Sequence, residues 1–165
     1  MTAEGRGGAG RVAVLGIFVM DVAYRTGRHP RPGETVIGSS YALGPGGKGS
    51  NQAVAAARAG ATVDFITRLG RDGFAEAGRA LWAEAGIAAH LSQSDLSTGS
   101  AGIVVEEATG NNAIVVCPGA AGELCIADVN TAADAIRGAV VFVTQLEQPI
   151  DVAAYALALA RQQET

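Results

Sequence analysis

The segment GPGGKGSN at residues 44–51 is the clearest candidate for chemistry, and it directly precedes an alanine-rich run that predicts a helix. Glycines permit positive φ angles and let the backbone approach a ligand closely. The free N–H groups and partial positive charge at a helix start favour an anionic or oxygen-rich ligand. Lys48 is the only lysine beside eleven arginines. Because a compact ammonium enters a narrow backbone pocket that excludes a planar guanidinium, Lys48 is a candidate binding residue.

Three interpretations of this segment compete. A phosphate-binding P-loop requires a glycine and a serine or threonine at positions that Ala42 and Gly49 occupy, so this interpretation fails. A dinucleotide fingerprint is formally satisfied by Gly44, Gly46 and Gly49, with Asp64 as the ribose partner, but the segment does not directly follow the first buried strand. The third interpretation is a glycine-rich connection that binds nothing.

The elements around the segment alternate between strands and helices. Residues 11–19 are apolar at odd and even positions alike, which is typical of a strand buried on both faces of a parallel sheet. The other predicted elements are helices at 50–59, 74–85, near 127–136 and 150–161, and strands at 62–69 and 139–144. This alternation predicts a doubly wound α/β layer.

Two regions depart from the alternation. Residues 22–33 are polar and predict an extended segment that ends in a turn, and residues 34–43 predict a strand. Residues 101–106 and 113–117 predict two short strands joined by a Gly-Asn turn. We expect these regions to form an excursion from the α/β layer.

Composition limits the function. The chain has 165 residues, a net charge of −4 and 48% hydrophobic residues. It therefore predicts a globular protein of about one domain, and its acidic balance disfavours a nucleic-acid partner. No apolar run approaches the length of a membrane span, and Cys117 and Cys125 have no further ligands at metal-binding spacing. We expect a soluble, cytoplasmic protein that has no membrane partner, no metal site in this chain and a flexible tail at residues 1–11.

Four short motifs occur in a characteristic order: GIFVMD at 16–21, PGET at 32–35, GGKGSNQAVAAARAGA at 46–61 and QLE at 145–147. In this order and spacing the sequence resembles the ribokinase branch of the PfkB carbohydrate kinases, from residue 12 onward. The resemblance implies a three-layer α/β/α sandwich with a small β-sheet lid, whose strands would lie at about 22–43 and 99–117. It also implies that residues 12–165 are the N-terminal sugar-binding portion, truncated after the middle of the sheet.

The resemblance implies which residues bind the sugar. The matching positions are Asp21, Gly46, Gly47, Lys48, Gly49, Asn51 and Glu147. Asp21 and Glu147 follow predicted parallel strands, at the edge where open α/β sheets bind ligands, and a carboxylate there can accept hydrogen bonds from two hydroxyls. Carboxylates at such positions also cap turns and helices. Val19 departs from the family, which usually has an asparagine there, so the identity of the sugar stays open.

The implied activity is ATP-dependent phosphorylation of the primary hydroxyl of a pentose such as ribose, with Mg²⁺ and K⁺ as cations. The resemblance places the catalytic base and the sites for ATP and cations beyond Thr165, so we expect no catalytic residue in this chain and expect the chain alone to be inactive. It also implies a homodimer through the lid. Two alternatives remain: a non-catalytic sugar-binding or lid-mediated interaction module, and a dinucleotide-binding domain.

Overall fold

A computed structural model describes residues 10–162 of the chain. The strands in this range are β1 (Arg11–Leu15), β2 (Val19–Thr26), β3 (Gly38–Gly46), β4 (Thr62–Leu69), β5 (Ala88–Gln93), β6 (Thr98–Glu106), β7 (Asn112–Gly119) and β8 (Val141–Thr144). The helices are α1 (Lys48–Arg58), α2 (Gly73–Glu84), α3 (Ile126–Thr131), α4 (Ala133–Arg137) and α5 (Ile150–Arg161). None of these helices is long and apolar enough to span a membrane. Residues 1–9 of the predicted tail lie outside the described residues.

The main sheet is parallel and has the strand order β5-β4-β1-β8. Alternate residues of the central strand β1 point to opposite faces. Ala13 and Leu15 pack against residues of α3, α4 and α5, whereas Val14 packs against residues of α1 and α2. All three side chains are buried, as expected for a strand that is apolar on both faces. The fold is therefore the predicted α/β/α sandwich.

A second sheet, with the strand order β3-β2-β6-β7, corresponds to the predicted excursion. β2 runs antiparallel to β3 and parallel to β6, and β7 pairs with β6 in the antiparallel sense. We call it the lid sheet, and we call the face that carries the Asp21 side chain its Asp21 face. The exposed large apolar residues of this sheet are Tyr24, Tyr41, Leu43, Ile114, Val115 and Val116.

The prediction of a single strand over residues 11–19 is wrong. β1 ends at Leu15, and β2 begins at Val19 in the other sheet. The chain changes sheet after Gly16, which lies so close to Gly49 of α1 that a Cβ on either residue would come within 2.7 Å of the other's Cα. Residues 13–19 are all buried, so their hydrophobicity does not reveal where the chain changes sheet.

Other boundaries also differ from the prediction. The first part of the predicted extended segment, through Thr26, belongs to β2, and β3 runs over Gly38–Gly46 rather than 34–43. The helix predicted near 127–136 divides into α3 and α4. β5 was not predicted, because its sequence AAHLSQ is neither continuously apolar nor regularly alternating. β5 is an edge strand of the main sheet, and its hydrogen bonds with β4 stabilise a strand that its own sequence pattern does not predict.

Trp82 fixes the position of α1 relative to the sheet. Its side chain is fully buried and packs edge-on against Phe18 and Phe65, with ring centroids 5.3 and 5.0 Å away. The indole Nε1–H donates to Ser50 Oγ at 3.0 Å. Since Ser50 lies in the first turn of α1, this hydrogen bond anchors the helix start that carries Lys48.

Candidate functional site

The glycine-rich segment connects the lid sheet directly to α1. β3 ends at Gly46, and Lys48 is the first residue of the helix. Gly47, between them, has a φ of +87°, and a Cβ there would lie 2.5 Å from the carbonyl oxygen of Ile17. Only glycine fits this position without strain, and it lets the helix start approach the β1–β2 connection.

Lys48 and Glu147 form a two-point contact between distant parts of the chain. Lys48 Nζ donates to Glu147 Oε1 at 2.6 Å, and the Lys48 backbone N–H donates to Glu147 Oε2 at 3.0 Å. Glu147 follows β8, so this contact joins the loop after the parallel sheet to the start of α1. The carboxylate lies where the partial positive charge of a helix start attracts an anion. The lysine side chain is 70% exposed and the glutamate 24% exposed, so solvent reaches both.

Asp21 lies within β2 of the lid sheet, opposite Gly44. The sequence predicted instead that Asp21 would follow the end of a main-sheet strand. Its carboxyl group covers Gly46: a Cβ there would lie 2.5 Å from the carboxyl carbon and from both oxygens. Burial raises the pKa of Asp21, and the negative charge of Glu147 raises that pKa further. The two carboxylates therefore belong to one electrostatic site.

The remaining motif residues have different surroundings. Gly49 is buried at the start of α1. Asn51, one turn after Lys48 on α1, has an exposed side chain and borders a surface depression together with Pro45. The hydrogen bonds between Lys48 and Glu147 do not extend to Asn51. The predicted residues that the structure brings together are Asp21, Gly46, Gly47, Lys48 and Glu147.

Strand pairing adds residues that the motifs do not indicate. Ala101 of β6 lies opposite Asp21, and Val116 of β7 lies opposite Ala101. Because directly opposite residues share a face, both side chains lie on the Asp21 face of the lid sheet. Ala101 is buried and Val116 is exposed. The Asp21 carboxylate is thus bordered by an apolar surface. The strand register decides which residues of β6 and β7 lie beside Asp21, and the local sequence of these strands does not.

Val19 lies two residues before Asp21 on β2, so the two side chains share a face. It is buried and lies opposite Gly46 and Gly99. A Cβ at Gly99 would lie 2.8 Å from Val19 Cγ1. An apolar side chain therefore fills the position beside the carboxylate.

Asp64, the ribose partner under the dinucleotide interpretation, lies in a separate cluster. Its carboxylate is only 1% exposed and accepts a hydrogen bond from Arg11 Nε at 2.5 Å. His90 Nε2 lies 2.8 Å from the same carboxyl group. Asp64 is near the amino end of β4, and the glycine-rich segment follows a strand of the lid sheet rather than β1. This arrangement does not match a dinucleotide site.

Within 10–162, no group of three or more His, Cys, Asp or Glu side chains is arranged to hold a metal ion. These residues therefore do not fit the Mg²⁺ that the family resemblance implies.

Comparison with known proteins gives consistent matches. Residues 9–164 match the pfkB family of carbohydrate kinases. The ribokinase of Mus musculus is 36% identical over 155 residues, which cover 93% of this chain and 48% of the mouse protein. The deoxyribokinase of Salmonella typhi is 29% identical over 147 residues, which cover 88% of this chain and 48% of that protein. The solved structure of ribokinase from Giardia lamblia is 30% identical, with a TM-score of 0.83, over 96% of this chain and 48% of that one.

These matches have two consequences. The chain spans about half the length of the relatives that it matches. The family match covers all of the described residues, including both sheets and the Asp21, Lys48 and Glu147 cluster. With a ribokinase-like α/β fold and this match, the chain belongs to the pfkB family of carbohydrate kinases.

Proposed function

We propose that this chain supplies the sugar-binding part of an ATP-dependent kinase that phosphorylates the primary hydroxyl of a pentose such as ribose. The observation that carries the proposal is the convergence of Asp21, Lys48 and Glu147 from three separate segments. The names of the relatives, ribokinase and deoxyribokinase, agree with a pentose acceptor.

The three side chains complement a ligand with several hydroxyl groups. Carboxylates accept hydrogen bonds from hydroxyls, and the ammonium of Lys48 donates to a hydroxyl oxygen. Lys48 and Glu147 already satisfy each other, so a bound sugar would share this contact. Hydrogen bonds to charged groups are stronger than those between neutral groups. Three such groups on separate elements would fix the orientation of the sugar, and positioning accounts for much of the catalysis of phosphoryl transfer.

The Asp21 face of the lid sheet would cover the bound sugar. Ala101 and Val116 give this face an apolar surface beside Asp21. An apolar cover excludes water, which strengthens the hydrogen bonds beneath it and keeps water from competing with the sugar hydroxyl as phosphoryl acceptor.

The choice of pentose would depend on Val19. Its apolar side chain lies beside Asp21 and offers no hydrogen bond to a hydroxyl. A sugar that lacks one hydroxyl, such as 2-deoxyribose, would therefore lose little relative to ribose. Calorimetric titration with both sugars tests this proposal, and Val19→Asn is expected to shift the ratio of the two dissociation constants toward ribose. An unchanged ratio in the folded variant would mean that residue 19 does not face the sugar.

The same titrations test the main proposal. We expect the chain to bind a pentose but not to hydrolyse ATP by itself, because the resemblance places the catalytic base and the sites for ATP, Mg²⁺ and K⁺ beyond Thr165. A folded chain that binds no pentose would refute the proposal, and binding of NAD would favour the dinucleotide alternative. Reading the coding frame past Thr165 separates a kinase from a non-catalytic sugar-binding or interaction module, since the family resemblance implies that a kinase has a downstream Gly-Ala-Gly-Asp motif that carries the catalytic base.

A homodimer through the lid sheet is part of the proposal. It is supported by exposed apolar residues of this sheet, among them Tyr41 and Val115, which lie on the face opposite the Asp21 face and are 70% and 71% exposed. Large exposed apolar surfaces of this kind mark interaction sites. Light scattering of the purified chain tests the oligomeric state. Ile114 and Val115 are adjacent and point to opposite faces, so comparing Ile114→Asp with Val115→Asp would identify the face that pairs. Dimerisation that survives both substitutions would exclude the lid sheet as the interface.

A further inference from the structure

Gln145 links two of the segments that carry the proposed sugar ligands. It directly follows β8 and precedes Glu147 by two residues. Its Nε2 donates a hydrogen bond to Oε1 of Gln52. Gln52 lies four residues after Lys48, which is one turn along α1 on the same side of the helix. The loop that carries Glu147 is therefore tied to the helix that begins with Lys48.

Two glycines make room for this amide. Gly16 and Gly49 are in such close contact that a Cβ on either would come within 2.7 Å of the other's Cα, and a Cβ on Gly49 would lie 2.8 Å from Gln145 Oε1. Gly16 belongs to the connection that leads to β2 and Asp21. Gln145 Oε1 is buried and has no hydrogen-bond donor among residues 10–162. Its position is therefore set by packing against the two glycines and by the hydrogen bond that the amide donates.

The Lys48–Glu147 contact needs such support. The lysine is a long flexible side chain that is 70% exposed, and exposed ion pairs of this kind contribute little on their own because they lose side-chain entropy and are screened by solvent. Apart from the hydrogen bond that the Lys48 backbone N–H donates to Glu147, what keeps Glu147 in place must therefore come from its own loop. Within that loop, the Gln145 amide contacts both the helix start and the connection to β2.

We infer that Gln145 is a positioning residue, which holds Glu147 against Lys48 and so sets the geometry of the sugar site. This inference rests on the proposed function, because the geometry matters for activity only if the site binds a sugar. Gln145 is not proposed to touch the sugar itself. Its role is to keep the loop after β8, the start of α1 and the β1–β2 connection in one arrangement.

The test compares Gln145→Met, which keeps the length of the side chain and removes the amide, with Gln162→Met at an exposed position after α5. Two quantities are measured: the pentose dissociation constant by calorimetry and the NMR signals of Lys48. Because Lys48 is the only lysine, ¹³C-lysine labelling reports on this side chain alone. A change in overall stability does not move that signal in the folded protein, whereas a displaced Glu147 does.

In Gln145→Met we expect the affinity for pentose to fall about tenfold, because a displaced Glu147 weakens about one hydrogen bond between its carboxylate and the sugar. We also expect the Lys48 signal to move toward its position in Glu147→Gln, with no change in Gln162→Met. Unchanged affinity and an unchanged lysine signal in folded Gln145→Met would overturn the inference.

A second variant covers the case in which Gln145→Met does not fold. Gln52→Ala removes the same hydrogen bond from the exposed surface of α1 and should move the Lys48 signal in the same direction. A Lys48 signal that stays in place would overturn the inference. A wild-type chain that binds no pentose would refute the proposed function, and the lysine signal would still decide whether Gln145 positions Glu147.

Discussion

Replacing Lys48 by methionine should separate sugar binding from stability. Methionine keeps the unbranched stem and a similar helix propensity but removes the ammonium group. The structure predicts a small loss of stability, because the lysine side chain is 70% exposed and its partner Glu147 is also reached by solvent. Exposed ion pairs contribute about 0–1 kcal/mol, so the free energy of unfolding should fall by no more than about 1 kcal/mol.

The loss of sugar affinity should be much larger than the loss of stability. A hydrogen bond to a charged group contributes about 1.5–3 kcal/mol, and Lys48 is the only lysine side chain that can donate it. Removing it should raise the dissociation constant for the pentose by about tenfold to 150-fold. Lys48→Met should therefore have a large effect on sugar binding and a small effect on unfolding.

Calorimetry and chemical denaturation at the same pH measure the two equilibria. Arg137→Met is the matched control, because it removes another exposed ion pair, that of Arg137 with Asp134, away from the site. The control should lose as little stability as Lys48→Met and should keep full sugar affinity. Sugar binding by Lys48→Met that equals wild-type binding would refute the assignment of Lys48. A loss of stability above about 2 kcal/mol would refute the view that the ion pair is exposed and weak.

Three further predictions follow from particular residues. Burial, and next the charge of Glu147, raise the pKa of Asp21, so sugar affinity should fall on acidification at a pH above the ordinary aspartate pKa. Calorimetric titrations at several pH values measure this loss, and a loss of affinity with its midpoint at or below the ordinary aspartate pKa would contradict the prediction. In denaturant titrations, Gly47→Ala should destabilise the fold more than Gly60→Ala. Both glycines have a positive φ, which alone costs an alanine about 1–2 kcal/mol. Of the two, only at Gly47 would the added Cβ contact another atom, the Ile17 carbonyl oxygen at 2.5 Å. Burial raises the pKa of Asp64, but the hydrogen bonds from Arg11 and His90 outweigh it and hold this pKa below its ordinary value. The ionised Asp64 carboxylate therefore stabilises the fold fully at pH values above its unfolded-state pKa, and this stabilisation is lost as the pH falls through its folded-state pKa. Arg11→Met should shift acid unfolding, followed by circular dichroism, to higher pH, and an unmoved transition would count against this ion pair.

Much of the fold follows from local sequence patterns. The apolar strands β4 and β8 and the helices α1, α2 and α5 have hydrophobic periods and boundary residues that lie within their own segments. The motif around Lys48 is also local, and it correctly indicates a glycine-lined helix start. The sequence-based predictions are wrong where one local pattern is compatible with two structures. Residues 13–19 are all buried, which suits one continuous strand as well as a chain that crosses between two sheets, and β5 becomes a strand only because β4 offers it a partner.

The sequence by itself determined the family motifs, the α/β alternation and the residues that carry charge at the site, because these depend on residue types and short spacings. Only the tertiary structure decided that Glu147 meets Lys48, that Asp21 stands on the lid sheet beside Val19 and Ala101, and that the Gln145 amide packs against two glycines. The physical reason is that these contacts join segments far apart in the chain. Their geometry depends on strand register and on how closely two backbones can approach, and no local propensity encodes either one.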